Sequence, residues 1–546
     1  MRLPEIKSAA SPVRREIVQS RGLNFSDDTA DGDLASCLNL GWHRWPFLAA
    51  RRAREAVEGY DDITITDMCS WDGLVCVTDE GKVLYDGQEL VGTVTPGVKQ
   101  FAAVNTKLVI WPDGVYLDRA ERDQLPVIKP MGAKVKMTKA VFGTTSVQLV
   151  NFALKDRTTE EYVAVTDLRT VFQKGDGLKI EGLTTLTGNN KAVVITGVMT
   201  DTLFVVHKLA DESFEVIFDE GTEEAAGEAF FTVTREIPPM DFICESGNRL
   251  WGCSSDKQTI YASALGDPTN FNVFDGLSTD SYAVAVATEG PFTGCGRLGS
   301  VVCFWKEKGL HKILGDYPAE YVMYTDQLEG VREGSWRSMC VINSTLYYLG
   351  IHGPHAYSGG LPQPIFRGMG NHTLTGGVGG TDGKRYYLCC EDDMEYGEPW
   401  LMIYDPASGA WLREDSADYQ AMARPRGDLL LLTSGGSILR EDAGGEDPQV
   451  LWSMTFTPFR ETLEGRKRYS RLLFRLELPI DAWAEAWERT DGGKWERTGR
   501  VIGKDEDTVQ MWVRPNRCDS FEVKLEGRGP CAVKGILREY QIQGPK

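Results

Sequence analysis

A short two-strand unit recurs along this chain and constrains its fold more than any other feature. Each unit is a turn, a short apolar strand, a second turn, and a strand that ends in a small or acidic residue. Seven units occur, and except for one large gap they start roughly 35–50 residues apart, the usual period of a propeller blade. Because one such hairpin cannot bury its apolar face alone, we expect the units to stack around a common axis. The units start at Trp71, Asn105, Gly247, Arg297, Asn343, Asp382 and Arg426.

The spacing predicts an all-β fold, a six- to seven-bladed β-propeller with additions. Residues 61–126 and 238–447 carry the predicted blades, and residues 127–237 are predicted to form an inserted small β-barrel or sandwich domain. In residues 448–546, apolar and polar side chains alternate as they do along the strands of a sandwich, and we predict a C-terminal β-sandwich there. Residues 1–60 are predicted to form an N-terminal arm, with the alternative that they supply a closing strand to an existing blade.

Two stretches illustrate how these assignments are made. The sequence KGDGLKIEGLTTLTGNNKAVVITGVM, which starts at Lys174, places the turn signals GDG and GNN between β-branched runs, as small β-domains do. In contrast, PFLAARRAREAVEG (residues 46–59) is the one stretch that reads readily as a helix. We therefore expect a single helix, near the N-terminus.

Charge is distributed unevenly along the chain. The whole chain has a net charge of −20, whereas residues 451–546 contain 18 Lys and Arg against 15 Asp and Glu. The first 450 residues therefore hold 41 basic against 64 acidic side chains, and the predicted blades are the acidic part. Since phosphate contacts need clustered Lys and Arg, this balance argues against a general nucleic-acid-binding surface.

Cysteine usage and the N-terminal sequence bear on the compartment. The twelve cysteines lie mostly inside apolar strands, as in GLVCV and YYLCC, and none forms a CxxC pair or a Cys/His cluster with metal spacing. Such residues usually behave as small buried hydrophobes in a protein made in a reducing cytoplasm. The stretch MRLPEIKSAASPVRREIV has no apolar core of a signal peptide, and no apolar run approaches membrane-spanning length.

Recognisable catalytic motifs are missing from the sequence. There is no GxSxG or GK[ST] pattern, and GGVGG (376–380) lacks the strand and helix context of a phosphate loop. The sequence therefore predicts no enzyme activity and no catalytic, cofactor-binding or metal-binding residue.

Three motifs have a metal-binding interpretation beside a plainer one. His352 and His355 are three residues apart on a predicted turn but need a third ligand. The sequence SDDTADGDL (26–34) suggests a calcium loop, but Thr29 stands where that loop has an acidic residue or Asn. The acidic run EDDMEYGE (391–398) could hold a cation. We favour the plainer interpretation of each motif: loop histidines for the first, an Asx-turn or cap for the second, and a solvated hairpin tip for the third.

Propeller hydrolases place carboxylates around the axial opening, so acidic residues in the predicted blades are candidates for such a role. No sialidase-type SxDxGxTW repeat accompanies them. We therefore nominate none of them as catalytic. The carboxylates considered are Asp67, Asp79, Glu307, Asp326 and Glu329.

Several stretches resemble a family of tailed-bacteriophage structural proteins that includes the tail nozzle and DNA-stabilisation propellers of short-tailed phages. RGLNFSDDTADGDLASCLNLGWHRWPFLAARR (21–52) resembles the opening of that family, and IYASALGDPTNFNVFDGLSTDSYAVAV (260–286) resembles one of its blade seams. Two following stretches, 290–318 and 330–359, resemble the next blades. The 175–206 region resembles small β-domains of phage neck and tail proteins, and VRPNRCDSFEVKLEGRGPCAVKGILREYQIQG (513–544) resembles the closing sandwich strands. These are structural patterns and not catalytic signatures.

The resemblance implies a virion structural protein of a tailed phage or prophage, a ring-forming tail or neck component that closes or lines the DNA conduit. It implies self-association, contact with other tail, neck or portal-complex proteins, and genomic DNA that passes without sequence-specific binding. Localisation in the virion, after assembly in the host cytoplasm, follows from it. We expect the acidic surface to face the DNA, because like charges prevent the genome from sticking.

Two other functions stay open from the sequence. A host-surface glycan-binding module would use Trp483, Trp487 and Trp495 as stacking surfaces, although their alternation with Glu and Arg favours one packed face of a sandwich. A propeller glycoside hydrolase is the second alternative.

Overall fold

The computed structural model describes residues 11–119, 124–137, 139–142, 146–150, 167–172, 174–184, 187–199, 203–208, 222–225, 231–274, 276–394, 398–461, 465–503, 508–512 and 517–543. It is an all-β, propeller-like protein, as the sequence predicts. The chain divides into two compact units, residues 1–73 with 331–546 (unit 1) and residues 74–330 (unit 2). No helix among the described residues has the length and apolar character needed to cross a membrane.

The predicted N-terminal arm forms short strands of unit 1. These are β1 (Val13–Ile17), β2 (Gly22–Leu23), β3 (Asp33–Leu38), β4 (Leu40–Arg44), β5 (Phe47–Ala50) and β6 (Glu55–Ala56). Strand β7 (Ile65–Ser70) follows in unit 1, within the region predicted to carry the first blades. The helix predicted over residues 46–59 is therefore wrong. Backbone pairing with distant strands, described below, outweighs the local helix propensity of the alanine- and arginine-rich stretch.

Unit 2 begins with strands of small antiparallel sheets, and we refer to each small sheet as a blade. Strands β8 (Leu74–Thr78), β9 (Lys82–Tyr85) and β10 (Gln88–Thr93) are followed by a four-stranded blade in the order β11-β12-β13-β14. The strands of that second blade are β11 (Gln100–Val104), β12 (Lys107–Trp111), β13 (Val115–Asp118) and β14 (Val127–Pro130). Since β14 pairs with β13, residues 127–130 belong to this blade and not to the inserted domain to which the sequence assigns them.

The inserted domain is one eight-stranded antiparallel sheet in the order β15-β22-β18-β19-β20-β17-β16-β21. No pairing joins its outermost strands, β15 and β21, and no closed barrel is found in the part of the domain that the structure describes. Its core includes Phe142, Ile180 and Val233. The strands are β15 (Ala133–Met137), β16 (Lys139–Phe142), β17 (Ser146–Val150), β18 (Gly177–Glu181), β19 (Ala192–Met199), β20 (Leu203–Lys208), β21 (Thr222–Ala225) and β22 (Phe231–Arg235).

Two further blades complete unit 2, each with its strands in chain order. They are β23 (Phe242–Ser246), β24 (Arg249–Ser254), β25 (Thr259–Ala262) and β26 (Tyr282–Ala285), then β27 (Gly294–Leu298), β28 (Val301–Lys306), β29 (Gly309–Leu314) and β30 (Val322–Asp326). The long β25–β26 loop contacts the inserted sheet. Asn270 donates from Nδ2 to the carbonyl of Gly175 at 2.7 Å and accepts from the amide of Gly177 at 3.4 Å.

Unit 1 contains the remaining blades. Two are simple four-stranded blades: β31 (Cys340–Ile342), β32 (Thr345–Gly350), β33 (Gly353–Tyr357) and β34 (Gln363–Pro364), then β35 (Leu374–Thr381), β36 (Tyr386–Asp392), β37 (Pro399–Asp405) and β38 (Ala410–Asp415). The last combines β39 (Tyr419–Ala423), β40 (Leu430–Thr433) and β41 (Ile438–Arg440) with β6 from the N-terminal arm. The arm thus supplies the closing strand that the sequence left as an alternative.

The seven repeated units correspond to the hairpins β8–β9, β12–β13, β24–β25, β28–β29, β32–β33, β36–β37 and β40–β41. Four of the seven opening turns use Asp or Asn because these residues tolerate the left-handed region of the backbone. Asp72, Asn105, Asn248 and Asn343 have φ values of 50°, 54°, 59° and 48°. Sequence and local geometry therefore agree at the feature that defines the repeat.

The C-terminal strands form a β-sandwich with the N-terminal arm. One sheet has seven strands, in the order β4-β5-β49-β43-β46 with β1 on β49 and β47 on β43, and the other has six, in the order β2-β3-β42-β48-β44-β45. Both contribute to one core, in which the rings of Tyr469 and Phe521 stack at 4.0 Å. The strands are β42 (Leu451–Phe456), β43 (Arg466–Glu477), β44 (Trp483–Thr490), β45 (Glu496–Ile502), β46 (Thr508–Trp512), β47 (Arg517–Cys518), β48 (Phe521–Arg528) and β49 (Ala532–Gln543).

Short 3-10 turns connect some of these strands. They are Leu168–Thr170, Thr187–Asn189, Pro318–Glu320, Trp336–Ser338, Arg367–Met369 and Pro425–Gly427.

Candidate functional site

Among the described residues, a dense group of buried charges surrounds Arg54, between β5 and β6. The Arg54 side chain is 6% exposed, and its Nη2 lies 2.5 Å from Oε2 of Glu414. The same guanidinium contacts the carboxylates of Asp415 and Glu441 and donates to the Tyr419 hydroxyl at 2.8 Å. Strand β38 supplies two of these carboxylates, and Glu441 follows β41 directly. We call these five residues the Arg54 cluster.

The Arg54 cluster holds more negative than positive groups, and this imbalance shifts its titration. Burial, followed by the charge of Glu441, raises the pKa of Glu414 well above its usual range, although Arg54 acts against this shift. Burial disfavours the charged form of Arg54, but Glu441, Glu414 and Asp415 together raise its pKa. Because the ionic groups face one another and are nearly buried, the arrangement ties the arm to the last two blades of unit 1.

A second buried ion pair involves one of the carboxylates considered from the sequence. Asp67 on β7 is fully buried, and Arg337 contacts its carboxylate and donates to the Gln420 carbonyl. The other oxygen of Asp67 accepts from the amide of Met68 at 2.8 Å. Asp67 therefore neutralises a cation next to β39.

The other four carboxylates considered lie in unit 2, at different hairpins. Asp79 is exposed in the β8–β9 turn, and Glu307 is half-buried in the β28–β29 turn. Asp326 ends β30 and lies 2.6 Å from Nζ of Lys312, and Glu329 follows this strand. Within unit 2 the described contacts do not bring them together into an acid–base pair.

The described part of the chain contains no group of three or more His, Cys, Asp and Glu side chains arranged to hold a metal ion. His352 lies in the β32–β33 turn, whereas His355 is buried on β33 and stacks on Tyr348 at 5.8 Å. In the acidic run, Glu391 is exposed, but Asp392 is buried. Its Oδ2 lies 2.8 Å from Nδ1 of His372. Residues 395–397 of that run lie outside the described residues.

Acidic side chains of the loop at residues 26–34 are bound by groups within the loop and by neighbouring residues. Asp33 accepts from the amide of Ala30 and from Nδ2 of Asn24, both at 2.8 Å, and pairs with Arg21 at 3.3 Å. Asp31 binds Arg538 through both carboxylate oxygens at 2.8 Å. The loop lines an open cleft of 440 Å³ in unit 1 together with Phe366, Tyr404, Trp411 and neighbouring residues. These contacts match the Asx-turn and capping interpretation of the sequence.

The three tryptophans considered from the sequence lie on or beside the outer face of the six-stranded sheet. On β44, Ala484 and Ala486 belong to the sandwich core, so the alternating residues Trp483 and Trp487 point the other way. The sequence interpretation of a packed inner face is therefore wrong. Alternation shows which residues share a face but not which face is buried, and here the small alanines pack in the core while the large rings lie outside it.

Cations cover part of these rings. The Arg500 guanidinium lies 4.5 Å from the Trp483 ring centre, and Nζ of Lys524 lies 5.1 Å from the Trp487 ring centre. Trp495, which precedes β45, contacts Arg489 at 4.7 Å. We call Trp483, Trp487 and Trp495 with these cations the tryptophan face. It is a half-exposed aromatic strip that offers flat apolar surface beside charged groups.

Comparisons with known proteins give no assignment. No family model and no curated protein sequence matches the chain. Among solved structures it is similar to PorZ of Porphyromonas gingivalis (10% identity, 93% of this chain and 83% of that one, TM-score 0.27) and to phage phi92 endosialidase (10%, 80% and 64%, 0.22). It is also similar to an exo-β-1,3-galactanase of Phanerochaete chrysosporium (9%, 53% and 92%, 0.22). These scores carry no argument about activity or partners.

Proposed function

We propose that the chain is a virion structural protein of a tailed bacteriophage or prophage, a ring-forming tail or neck component that closes or lines the DNA conduit. The observation that carries the proposal is the path of residues 13–56. This segment adds strands to both sheets of the sandwich and to the last blade, and it ends at the Arg54 cluster. It includes the stretch whose sequence resembles the opening of the phage family.

Contacts between residues so distant in sequence are consistent with a rigid subunit of an assembly. The segment is fixed by side chains as well as by strands: Asp31 binds Arg538, Arg44 binds Glu477 at 2.9 Å, and Arg54 binds three carboxylates. The last contact joins positions about 360 to 390 residues apart. A subunit braced in this way presents the same surfaces to its neighbours each time, which a closed ring requires.

The proposal includes no catalytic step, and it places the protein in the virion after assembly in the host cytoplasm. Its partners would be further copies of the chain and other tail, neck or portal-complex proteins. Sedimentation velocity of the full chain over a range of concentrations tests it. We expect one large species of fixed stoichiometry, and a monomer at every concentration would contradict the proposal.

A second candidate function, glycan binding, rests on the outward orientation of the tryptophan face. Sugar rings stack on exposed aromatic side chains, and the half-buried Glu526 lies on the same outer face as a potential hydroxyl acceptor. The test is a glycan array with the full chain and a Trp487→Ala variant. The matched control is Trp45→Ala, which removes a ring that is 51% exposed on another part of unit 1. Glycan binding lost only in Trp487→Ala would favour this function, and no binding by the wild type would exclude it for the glycans on the array.

A further inference from the structure

The outer face of the seven-stranded sheet is rich in arginine. Along β43, Lys467, Tyr469 and Leu472 are buried on the core side of the sheet. Strand alternation, with one bulge at residues 469–471, places the neighbouring arginines on the opposite side. We define the arginine face as Arg14 on β1, Arg466, Arg468, Arg471 and Arg475 on β43, and Arg517 on β47.

Strand register confirms that these side chains share one face. Arg14 and Arg471 are both paired with Glu539 of β49, from opposite sides of that strand. Arg517 is paired with Arg468, and the next residue of β47, Cys518, is fully buried in the core. The face thus extends over four adjacent strands, β1, β49, β43 and β47.

Acidic residues on this side neutralise only part of the charge. One carboxylate, Glu539, lies 2.9 Å from Arg14 and 3.3 Å from Arg471. Arg466 lies 3.7 Å from Asp519 and 4.0 Å from Asp491. Among the described residues, Arg468, Arg475 and Arg517 have no carboxylate within 4.0 Å, and all three are exposed. The face therefore carries a net positive charge on a chain whose total is −20.

Arg468 and Arg517 face each other directly across two paired strands. Directly opposed residues of an antiparallel pair have Cα atoms about 5 Å apart, and like charges there destabilise a sheet. Among the described residues, neither arginine has a carboxylate within 4.0 Å to offset this cost. An anion bound between the two guanidinium groups would attract both and offset their mutual repulsion.

Spacing and chemistry favour a phosphate backbone over an acidic protein as that anion. Arg466 and Arg468 lie two residues apart on one strand, so their Cα atoms are about 7 Å apart and repeat in one direction, as the charges of a linear polyanion do. The planar guanidinium donates two parallel hydrogen bonds to a phosphate. Protein interfaces, in contrast, are depleted of charge at their centre, whereas charged groups occupy the centre of this face.

We propose that the arginine face binds the phosphate backbone of double-stranded DNA without sequence preference. This inference goes beyond the proposed assembly role and does not depend on it. Guanidinium groups on the three strands β1, β43 and β47 contact phosphates, and counterion release provides most of the affinity. Phosphate contacts position DNA but do not read its sequence.

Fluorescence anisotropy with the full chain and a short labelled duplex tests the proposal. The variant is Arg468→Glu with Arg475→Glu, which reverses two exposed arginines that have no acidic partner among the described residues. The control is Lys384→Glu with Arg440→Glu, which makes the same change in net charge at exposed positions of the blades of unit 1. Binding is measured between about 50 and 200 mM salt with two unrelated duplex sequences. Circular dichroism and sedimentation velocity of each protein report folding and assembly.

We expect the wild type and the control to bind both duplexes equally, with an affinity that falls as salt rises. The arginine variant should bind at least about tenfold more weakly at low salt, with a salt slope reduced by about two, one for each lost contact. No binding by the wild type at low salt, or equal loss in the variant and the control, would overturn the proposal. A variant that binds DNA normally but no longer self-associates would show that the face is an interface between copies instead. A wild-type monomer that binds DNA through this face would contradict only the proposed ring.

Discussion

Nη2 of Arg54 lies 2.5 Å from the carboxylate of Glu414, 360 residues further along the chain. Arg54 belongs to the N-terminal arm, and Glu414 lies on the last strand of the preceding blade. The contact occurs where β6 pairs with β41 and completes the last blade. Backbone pairing and a buried ion pair therefore hold the arm at the same place.

Replacement of Arg54 should destabilise unit 1 strongly. In Arg54→Met, three carboxylates lose their shared cation while they remain buried, and the loss of one partner from a buried ionic group costs about 3–5 kcal/mol. Urea unfolding of the full chain measures this free energy. Arg52→Met is the matched control, because Arg52 and its partner Asp442 are 40% and 48% exposed, and it should cost less than about 1 kcal/mol. Equal effects of the two substitutions would contradict the role given to the Arg54 cluster.

The Arg54 cluster should also give stability a distinct dependence on pH. Burial and the charge of Glu441 raise the pKa of Glu414 in the folded protein, so the folded state binds a proton that the unfolded state releases above its ordinary pKa of 4.5. The contribution of Glu414 to the free energy of unfolding therefore falls as pH rises from about 4.5 towards the folded-state pKa. In Glu414→Gln this slope should be absent, so the variant gains stability relative to the wild type as pH increases.

Glu477 provides a control of opposite sign. Hydrogen bonds from Lys534 and Arg44 lower the pKa of this carboxyl, so its stabilising effect is present above pH 4.5 and is lost as pH falls through the folded-state pKa. Glu477→Gln should therefore lose stability relative to the wild type at neutral pH but not in acid. Urea unfolding at a series of pH values measures both variants. Parallel pH profiles for the two would contradict the assignment.

The guanidinium of Arg538 has one buried and one exposed carboxylate partner, so the contributions of the two can be compared. It contacts Glu461, which is 4% exposed, at 2.6 Å and Asp31, which is 52% exposed, at 2.8 Å. Glu461→Gln should cost about 1–3 kcal/mol because it weakens a charge-assisted contact inside the protein. Asp31→Asn should cost less than about 1 kcal/mol because water screens the lost pair. The reverse order in urea unfolding would show that the arm loop contributes more than its exposure indicates.

A close approach to Gly177 should control attachment of the inserted sheet to the β25–β26 loop. A Cβ atom at Gly177 would lie 2.6 Å from the Cβ of Asn272 and 2.8 Å from its backbone oxygen. Gly177→Ala should therefore cost about 1–3 kcal/mol through overpacking and increase amide hydrogen exchange in β18 and the loop. Gly296→Ala is the control, since nothing lies within 4 Å of the added methyl group. Unchanged exchange in Gly177→Ala would contradict this contact.

The repeated hairpins could be predicted from sequence because their signals are local. Turn residues such as Asn105 and Asn248 and the short apolar strands beside them determine the conformation without reference to the rest of the chain. The C-terminal sandwich was predictable for the same reason. The path of the arm was not, because the strand pairing of Phe47–Ala50 and Glu55–Ala56 depends on β49 and β41, which lie hundreds of residues away.

The surfaces were less predictable than the fold. A net charge of −20 argues against a nucleic-acid-binding surface, but a total does not reveal that Arg466 and Arg468 share a face while Lys467 points into the core. The tryptophan face was misassigned for a related reason. Period-two alternation separates Trp483 and Trp487 from Ala484 and Ala486, yet the contacts of the second sheet decide which set is buried.

Electron microscopy of the purified full-length protein tests the central claim, that the chain is a ring-forming structural component of a virion, most directly. We predict closed rings of uniform copy number, in which the braced unit 1 and the arm occupy the same position in every subunit. Images of separate single chains at concentrations well above those of assembly, from protein that is folded by circular dichroism, would contradict the claim.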